Sequence, residues 1–276
     1  MMGSIKMRSV TRLDIALVDR SLVSSRENAA DLIREGKVLV NGSVAVKASR
    51  QVKVGDQLRI TAANPYVSRG GMKLEGALKR FDLDVKDLRV LDVGSSTGGF
   101  TDCLLQHGAG TVYAVDVGTN QLHEKIRSDP RAVSFEQTNI RDFEDPEGLG
   151  FPLVVADVSF TSVRIMAKAL LDLTWRDGEL LILVKPQFEV GRKDASRARG
   201  VIKDPALWRD SLIAVAEEFM LHGAVVKALA VSEVRGTQGN VEFFYHLSKG
   251  SGQSIEDCTT LIDNEIARVV AGSLKS

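Results

Sequence analysis

The sequence predicts a doubly wound α/β domain preceded by a small α+β module. Three observations carry this. From about residue 89 onward, short apolar runs alternate with amphipathic stretches, as a mostly parallel sheet with covering helices requires. Ahead of them, a helical pair runs into an Asn-Gly hairpin. Charge divides at the same place: the 276 residues hold 36 Lys and Arg against 36 Asp and Glu, yet residues 1–62 hold 11 against 6, a net +5, leaving −5 for the rest. With 44% hydrophobic residues a sizeable core is available. The expected division is a module over 1–62, a linker over 63–68, the α/β domain over 69–250 and a helical tail over 251–276.

In the module, Leu13, Ala16 and Leu17 recur at helical spacing, and a second helix is expected from Ser24, with Glu27 completing a capping box and Gly36 stopping it. KVLVNGSVAV then alternates apolar residues about Asn41-Gly42, and VGDQLRI supplies a further turn and strand. Arg12, Arg26, Arg34 and Lys37 are the cations expected to share an exposed surface, where they can pair with phosphates. The order of elements, with Ser25-Arg26, Gly36 and Asn41-Gly42, resembles the S4 RNA-binding domain over residues 11–60. That resemblance implies that the module binds structured RNA.

Beyond the breakers Asn64-Pro65 and Gly70-Gly71, the strands read RVLDVG, TVYAVDVG, PLVVADVSF, ELLILVKPQF, AVVKALAVSEV and VEFFYHL. The first runs into SSTGGF. There Gly94, Gly98 and Gly99 let the backbone turn tightly before a helix that starts near Phe100, and the next strand ends in Asp116, a carboxylate placed for ribose hydroxyls. This points to a nucleoside cofactor at the carboxyl edge of the sheet. The spacing is neither GxGxxG nor GxxxxGK[ST], so a phosphate-free ligand is favoured. LDVGSSTGGF resembles the first motif of S-adenosylmethionine-dependent methyltransferases of Rossmann-like fold. The resemblance implies S-adenosyl-L-methionine as cofactor, with Gly94 and Ser95 against its methionine part, Asp116 on the ribose and Asn139-Ile140 beside the adenine. Gly98, Gly99 and Phe100 complete the expected cofactor set.

Four polar residues stand where chemistry would want them: Lys73 in SRGGMKL, Asp157 in VVADVSF, Lys185 in LVKPQFE and Glu242 in GNVEFFYHL. Asp157 and Lys185 end apolar strands, where open α/β sheets place their sites. Singly, each has a plainer reading as a helix cap, an edge-strand residue or a surface lysine. As a set they resemble the Lys, Asp, Lys, Glu tetrad of ribose 2′-O-methyltransferases of the FtsJ type. With the S4-like module in front, residues 8–248 closely resemble the TlyA family, often labelled hemolysin A but acting as rRNA 2′-O-methyltransferases. A cytidine 2′-hydroxyl in the 30S subunit, the 50S subunit or both is the substrate this implies. Such a hydroxyl needs its proton removed or its developing charge stabilised. Lys185 could take the proton as an amine or stabilise the oxyanion as an ammonium, with Asp157 and Glu242 orienting it and Lys73 holding ribose or phosphate.

After Lys185, VGRKDASRARGVIKDP reads as a basic loop in which Arg192, Lys193, Arg197 and Arg199 grip RNA; Arg69 joins this set. In the tail, Ile255, Ile262, Ile266 and Val269 form one apolar helix face, suited to the body or to a second subunit. Two distant cysteines and four scattered histidines predict reduced thiols and no metal site. No apolar run approaches the roughly 20 residues of a membrane helix, and MMGSIKMRSV has no apolar signal core, so a cytoplasmic protein is expected. Two further readings stand beside the enzyme. One is a non-catalytic RNA-binding or assembly protein, against which the complete tetrad argues. The other is a membrane-active hemolysin, against which the missing spanning segment argues.

Overall fold

A computed structural model describes residues 10–34, 36–61, 65–198 and 200–273. The chain divides into two compact units, one made of the residues up to Pro65 together with Thr237–Gly239, the other of Tyr66–Gly236 and the residues from Asn240 onward.

In the first unit, β1 (Val10–Arg12) leads into α1 (Leu13–Asp19) and α2 (Arg26–Arg34), followed by β2 (Val38–Val40), β3 (Ser43–Val44), β4 (Gln51–Lys53) and β5 (Leu58–Ile60). Leu13, Ala16 and Leu17 are buried with Ala29, Ile33, Val38 and Val40 in one small core. The capping residue of α2 is Ser25, not Ser24: its hydroxyl accepts the Asn28 N–H at 3.1 Å, which puts Asn28 and not Glu27 at the third helical position. Gly36 does stop the helix. It lies at φ +70°, and the Lys37 N–H reaches back to the Leu32 carbonyl at 2.8 Å, a Schellman closure. The Asn41-Gly42 hairpin forms as expected, pairing Leu39 with Val44 and Val40 with Ser43. Both turn residues have positive φ, 52° and 79°, as a type I′ turn requires.

The second unit starts with α3 (Arg69–Phe81), then β6 (Arg89–Val93), α4 (Gly99–Gln106), β7 (Thr111–Val115), α5 (Glu124–Arg127), β8 (Ala132–Phe135) and β9 (Phe151–Ala156). It continues with α6 (Ala167–Leu173), β10 (Thr174–Val184), α7 (Pro186–Glu189), α8 (Arg192–Arg197), α9 (Pro205–Leu221), β11 (Ala224–Val231), β12 (Phe243–Lys249) and α10 (Ile255–Ser273). The strands form one seven-stranded sheet in the order β11-β12-β10-β9-β6-β7-β8. Strands β8, β7, β6, β9 and β10 run parallel, while β12 and β11 add antiparallel at one edge.

Successive residues of the central strands serve opposite faces, as the period of two demands. On one face Val154, Ala156, Leu180 and Ile182 pack with Leu170 of α6, Leu212 and Phe219 of α9 and Ile262 of α10. On the other, Leu153, Val155, Leu181 and Leu183 pack with Leu74 of α3 and Phe100 and Leu104 of α4. Both faces are therefore covered, and the strand ends are left as the place for a site. The tail helix packs on the body of its own chain: Ile262, Ile266 and Val269 are buried in the first of these cores. Replacing the fully buried Ile262 with alanine is expected to lower stability by about 2–4 kcal/mol, measured by denaturant unfolding.

Candidate active site

Four loops at the carboxyl ends of β6, β7, β8 and β9 converge. Gly94, just past β6, lies at φ +79°, and a Cβ there would sit 2.6 Å from the Asp157 carbonyl oxygen, so only glycine lets the two loops meet. The Asp157 N–H donates to the Val93 carbonyl at 2.9 Å across the same junction. Gly98 caps α4 at φ +89°. A Cβ at Gly99 would come within 3.1 Å of the Gly71 backbone nitrogen, so this residue serves the close crossing of α3 and α4.

These loops enclose a cavity of about 320 Å³ whose walls include Gly94, Asp116, Asn139, Ile140, Asp157 and Phe160. Asp116 is fixed from both sides, its carboxylate accepting the Ser96 N–H at 2.8 Å and the Gly118 N–H at 2.7 Å. Each oxygen keeps a lone pair for a ligand hydroxyl. Of the expected cofactor residues, Gly94, Asp116, Asn139 and Ile140 line this cavity, whereas Ser95 is buried beside it and Gly98 and Gly99 shape the turn. Phe100 is a correction. Its ring points into the core and stacks on Phe244 with centroids 6.1 Å apart, because the first turn of α4 faces the sheet. Val117, Thr138, Ser159 and Met166 are wall residues that sequence reasoning did not single out.

The four candidate catalytic residues form two short ion pairs. Lys185 Nζ lies 2.5 Å from Asp157 Oδ1 and donates to Ser159 Oγ at 2.6 Å. Lys73 Nζ, on the second turn of α3, lies 2.6 Å from Glu242 Oε2. Gln187, two residues after Lys185, donates its amide to Glu242 Oε1 at 3.4 Å. Both lysines and Glu242 are buried. Lys185 caps α7, whose first residue is Pro186, so the chain turns sharply out of β10 just where the amine must project. Glu242 stands immediately before β12 and not within it. Phe160 follows Ser159 at φ +67° and is 92% exposed, with its ring 5.5 Å from that of Phe188. A bulky residue is uncommon in the left-handed region, and this one holds its ring open to solvent at the cavity wall.

The residues expected to bind RNA are distributed differently. Arg12 and Arg26 both pair with the buried Asp14, at 3.0 and 2.8 Å, and with Arg12 as the main cause they hold its carboxyl down at about 2. They fasten the start of α1 to α2 while keeping part of each guanidinium exposed. Arg34 pairs with Asp31 on the surface of α2, and Lys37 leads into β2. Arg69 is half-buried: burial lowers its basicity, Glu242 opposes that, and its guanidinium donates to the Arg235 carbonyl. The expected basic loop forms a short helix, α8, with Arg197 exposed beside Asp194. Arg192 and Lys193 lie on the backbone of α8, and Arg199 lies outside the described residues. Among the described residues, no helix is long and apolar enough to cross a membrane.

A doubly wound sheet with a cavity at its strand ends and Lys-Asp and Lys-Glu pairs beside it is the architecture of a Rossmann-like methyltransferase. Residues 66–249 match the model for FtsJ-like methyltransferases and residues 11–58 that for the S4 domain, and the chain belongs to the FtsJ-like methyltransferase family. It is 44% identical over 243 residues to the 16S/23S rRNA (cytidine-2′-O)-methyltransferase TlyA of Mycobacterium tuberculosis, covering 86% of this chain and 89% of that protein. It is 42% identical over 272 residues to YqxC of Bacillus subtilis, a candidate rRNA methyltransferase, covering 96% and 94%. Among solved structures, a candidate hemolysin from Streptococcus thermophilus superposes with a TM-score of 0.75 at 38% identity, covering 97% of this chain and 98% of that one.

Proposed function

We propose that this chain is a ribose 2′-O-methyltransferase that uses S-adenosyl-L-methionine to methylate a cytidine of rRNA within the 30S or 50S subunit. One observation carries the reading: the cavity that includes Asp116 and Ile140 also includes Asp157 and Ser159, the two partners of Lys185. The residues fit the cofactor. Asp116 accepts from ribose hydroxyls, Asn139 and Ile140 flank a planar base, and Gly94 keeps the backbone low beside the methionine part. When bound, the cofactor supplies a methyl on a sulfonium, whose sulfur leaves with the bonding electron pair.

The protein's task is then to place and polarise the 2′-oxygen. An ammonium has three N–H donors; Lys185 gives one to Ser159 while its charge lies against Asp157, and a further donor serves the 2′-oxygen. As the oxygen bonds to the methyl carbon, its proton passes to solvent and Lys185 stabilises the charge that develops. Lys73 and Glu242, paired directly with Gln187 donating to the carboxylate, hold the far side of the ribose. Alignment supplies much of the remaining acceleration. Phe160 offers an exposed ring to the target base.

The deciding experiment incubates the full chain with labelled S-adenosylmethionine and unmodified 30S and 50S subunits, followed by mapping of the methylated nucleotide. Label on a cytidine ribose is expected, and no label in either subunit would remove the proposal. RNA affinity should also depend on the S4 unit. Arg34→Ala is expected to weaken binding several-fold and to reduce the slope of log K against log salt by about one, as the loss of one phosphate contact requires; an unchanged slope would exclude Arg34 from the interface.

A further inference from the structure

The two partners of the central ion pair come from different loops, Asp157 from the one after β9 and Lys185 from the turn after β10. One buried carboxylate joins those loops. We infer that Glu189 is a positioning residue for methyl transfer: it locks the segment carrying Asp157, Ser159 and Phe160 onto the turn carrying Lys185, and so sets where Lys185 Nζ lies. The inference rests on the methyltransferase reading above.

Glu189 is the last residue of α7, and its side chain is 2% exposed. Its carboxylate accepts the Ser162 hydroxyl at 2.5 Å, the Val163 N–H at 2.8 Å and Arg164 Nε at 3.3 Å. Arg164 also reaches the Glu189 carbonyl at 3.4 Å, and the Ser162 hydroxyl accepts both the N–H and the Nε of Arg164 at 3.2 Å. At the other end of α7, the Phe188 N–H closes on the Lys185 carbonyl at 2.8 Å. Lys185 and Glu189 thus share one rigid turn, and whatever Glu189 grips is held in register with the lysine.

What it grips is the stretch just beyond the catalytic residues. Asp157 and Ser159 meet Lys185, Phe160, Thr161 and Met166 line the cavity, and Ser162 to Arg164 are the grip itself. A buried carboxylate is costly unless its oxygens are satisfied, and charge-assisted bonds of this length are among the stronger ones. The expense falls between two loops whose mutual displacement would separate Lys185 from both its partners. Glu189 acts through the backbone, not on the reacting atoms.

The test compares Glu189→Ala, Glu189→Gln and Ser162→Ala in the full chain. It measures single-turnover methylation of unmodified 30S and 50S subunits at saturating labelled cofactor, RNA affinity and the thermal midpoint. Glu189→Ala is expected to slow the single turnover by about 10²-fold, the effect of a misplacement near 1 Å, with RNA affinity unchanged. Glu189→Gln should recover part of the rate, because its amide oxygen still accepts the Val163 N–H. Ser162→Ala, which removes one of the bonds to the Glu189 carboxylate together with the two that Arg164 makes to the hydroxyl, should slow turnover by about five-fold. A purely structural role would lower the midpoint and leave the single-turnover rate of the folded fraction unchanged. Should Glu189→Ala fail to fold, the other two variants decide, and wild-type rates in both would overturn the inference. Lys185→Ala runs alongside. If it keeps the wild-type rate, the underlying mechanism falls; if it is inactive while Glu189→Gln and Ser162→Ala are unaffected, only the positioning role falls.

Discussion

Lys185→Ala should slow methyl transfer by about 10³-fold or more while cofactor and RNA affinities stay within a few-fold of the wild type. The size follows from what the amine is asked to do. A preorganised donor at a developing oxyanion is worth about 10²–10³ in rate. Lys185 also orders Asp157 and Ser159, both of which line the cofactor cavity. Losing the lysine leaves the Asp157 carboxylate without its partner in a half-buried place, so a lower thermal midpoint is expected as well. The double variant Asp157→Asn/Lys185→Ala should regain part of that midpoint and none of the rate. Single-turnover assays at saturating cofactor, with isothermal titration for cofactor affinity, check both. A Lys185→Ala protein that methylates at the wild-type rate would take the lysine out of the mechanism.

Lys185 was legible because it is a polar intruder at the end of LLILV, and Asp157 because it ends an apolar strand in the same way. Their partners were not legible. Ser159, in a loop, and Gln187, in α7, are ordinary polar residues, and only the pairing of β10 with β9 and with β12 brings the one to the lysine and the other to Glu242. Glu189 had no signal beyond its place in KPQFE, since its contacts lie more than 20 residues away in sequence. Periodicity found six strands of the large sheet and the tail helix, because these are written in apolar spacing, but not the four-residue β8. It failed where a residue's role depends on which way one turn faces: Phe100 follows the glycine turn yet points into the core, and the cap of α2 is one serine later than read. Charge alone did not reveal pairing. Arg12 and Arg26 look like free cations until Asp14, buried between them, accepts both.

Asp92 carries the second large effect, on stability. It sits in β6 with its side chain buried, accepting the Thr101 hydroxyl at 2.6 Å on Oδ2, while Oδ1 is buried without a hydrogen-bond partner. Burial pushes this carboxyl up from 3.8 to about 7, and the negative charges of Asp157 and Asp116 push the same way. Below about pH 4 the carboxyl is protonated in both the folded and the unfolded chain and contributes nothing. Between about 4 and 7 the unfolded chain gives up its proton and the folded chain keeps it, so stability falls as pH rises and the loss is complete above 7. A difference of about three pH units corresponds to roughly 4 kcal/mol. Asp92→Asn removes the titration and keeps an oxygen for Thr101. Its advantage over the wild type in urea unfolding should therefore grow from near zero at pH 4 to several kcal/mol at pH 8. Both tryptophans, Trp175 and Trp208, belong to the second unit, so their fluorescence follows the relevant transition. Parallel stability profiles for the two proteins would show that Asp92 ionises as freely in the fold as in water. The site gives a reason for it not to: with Asp116 and Asp157 already placing two carboxylates at neighbouring strand ends, a third beneath them is accommodated at lower cost as the neutral acid.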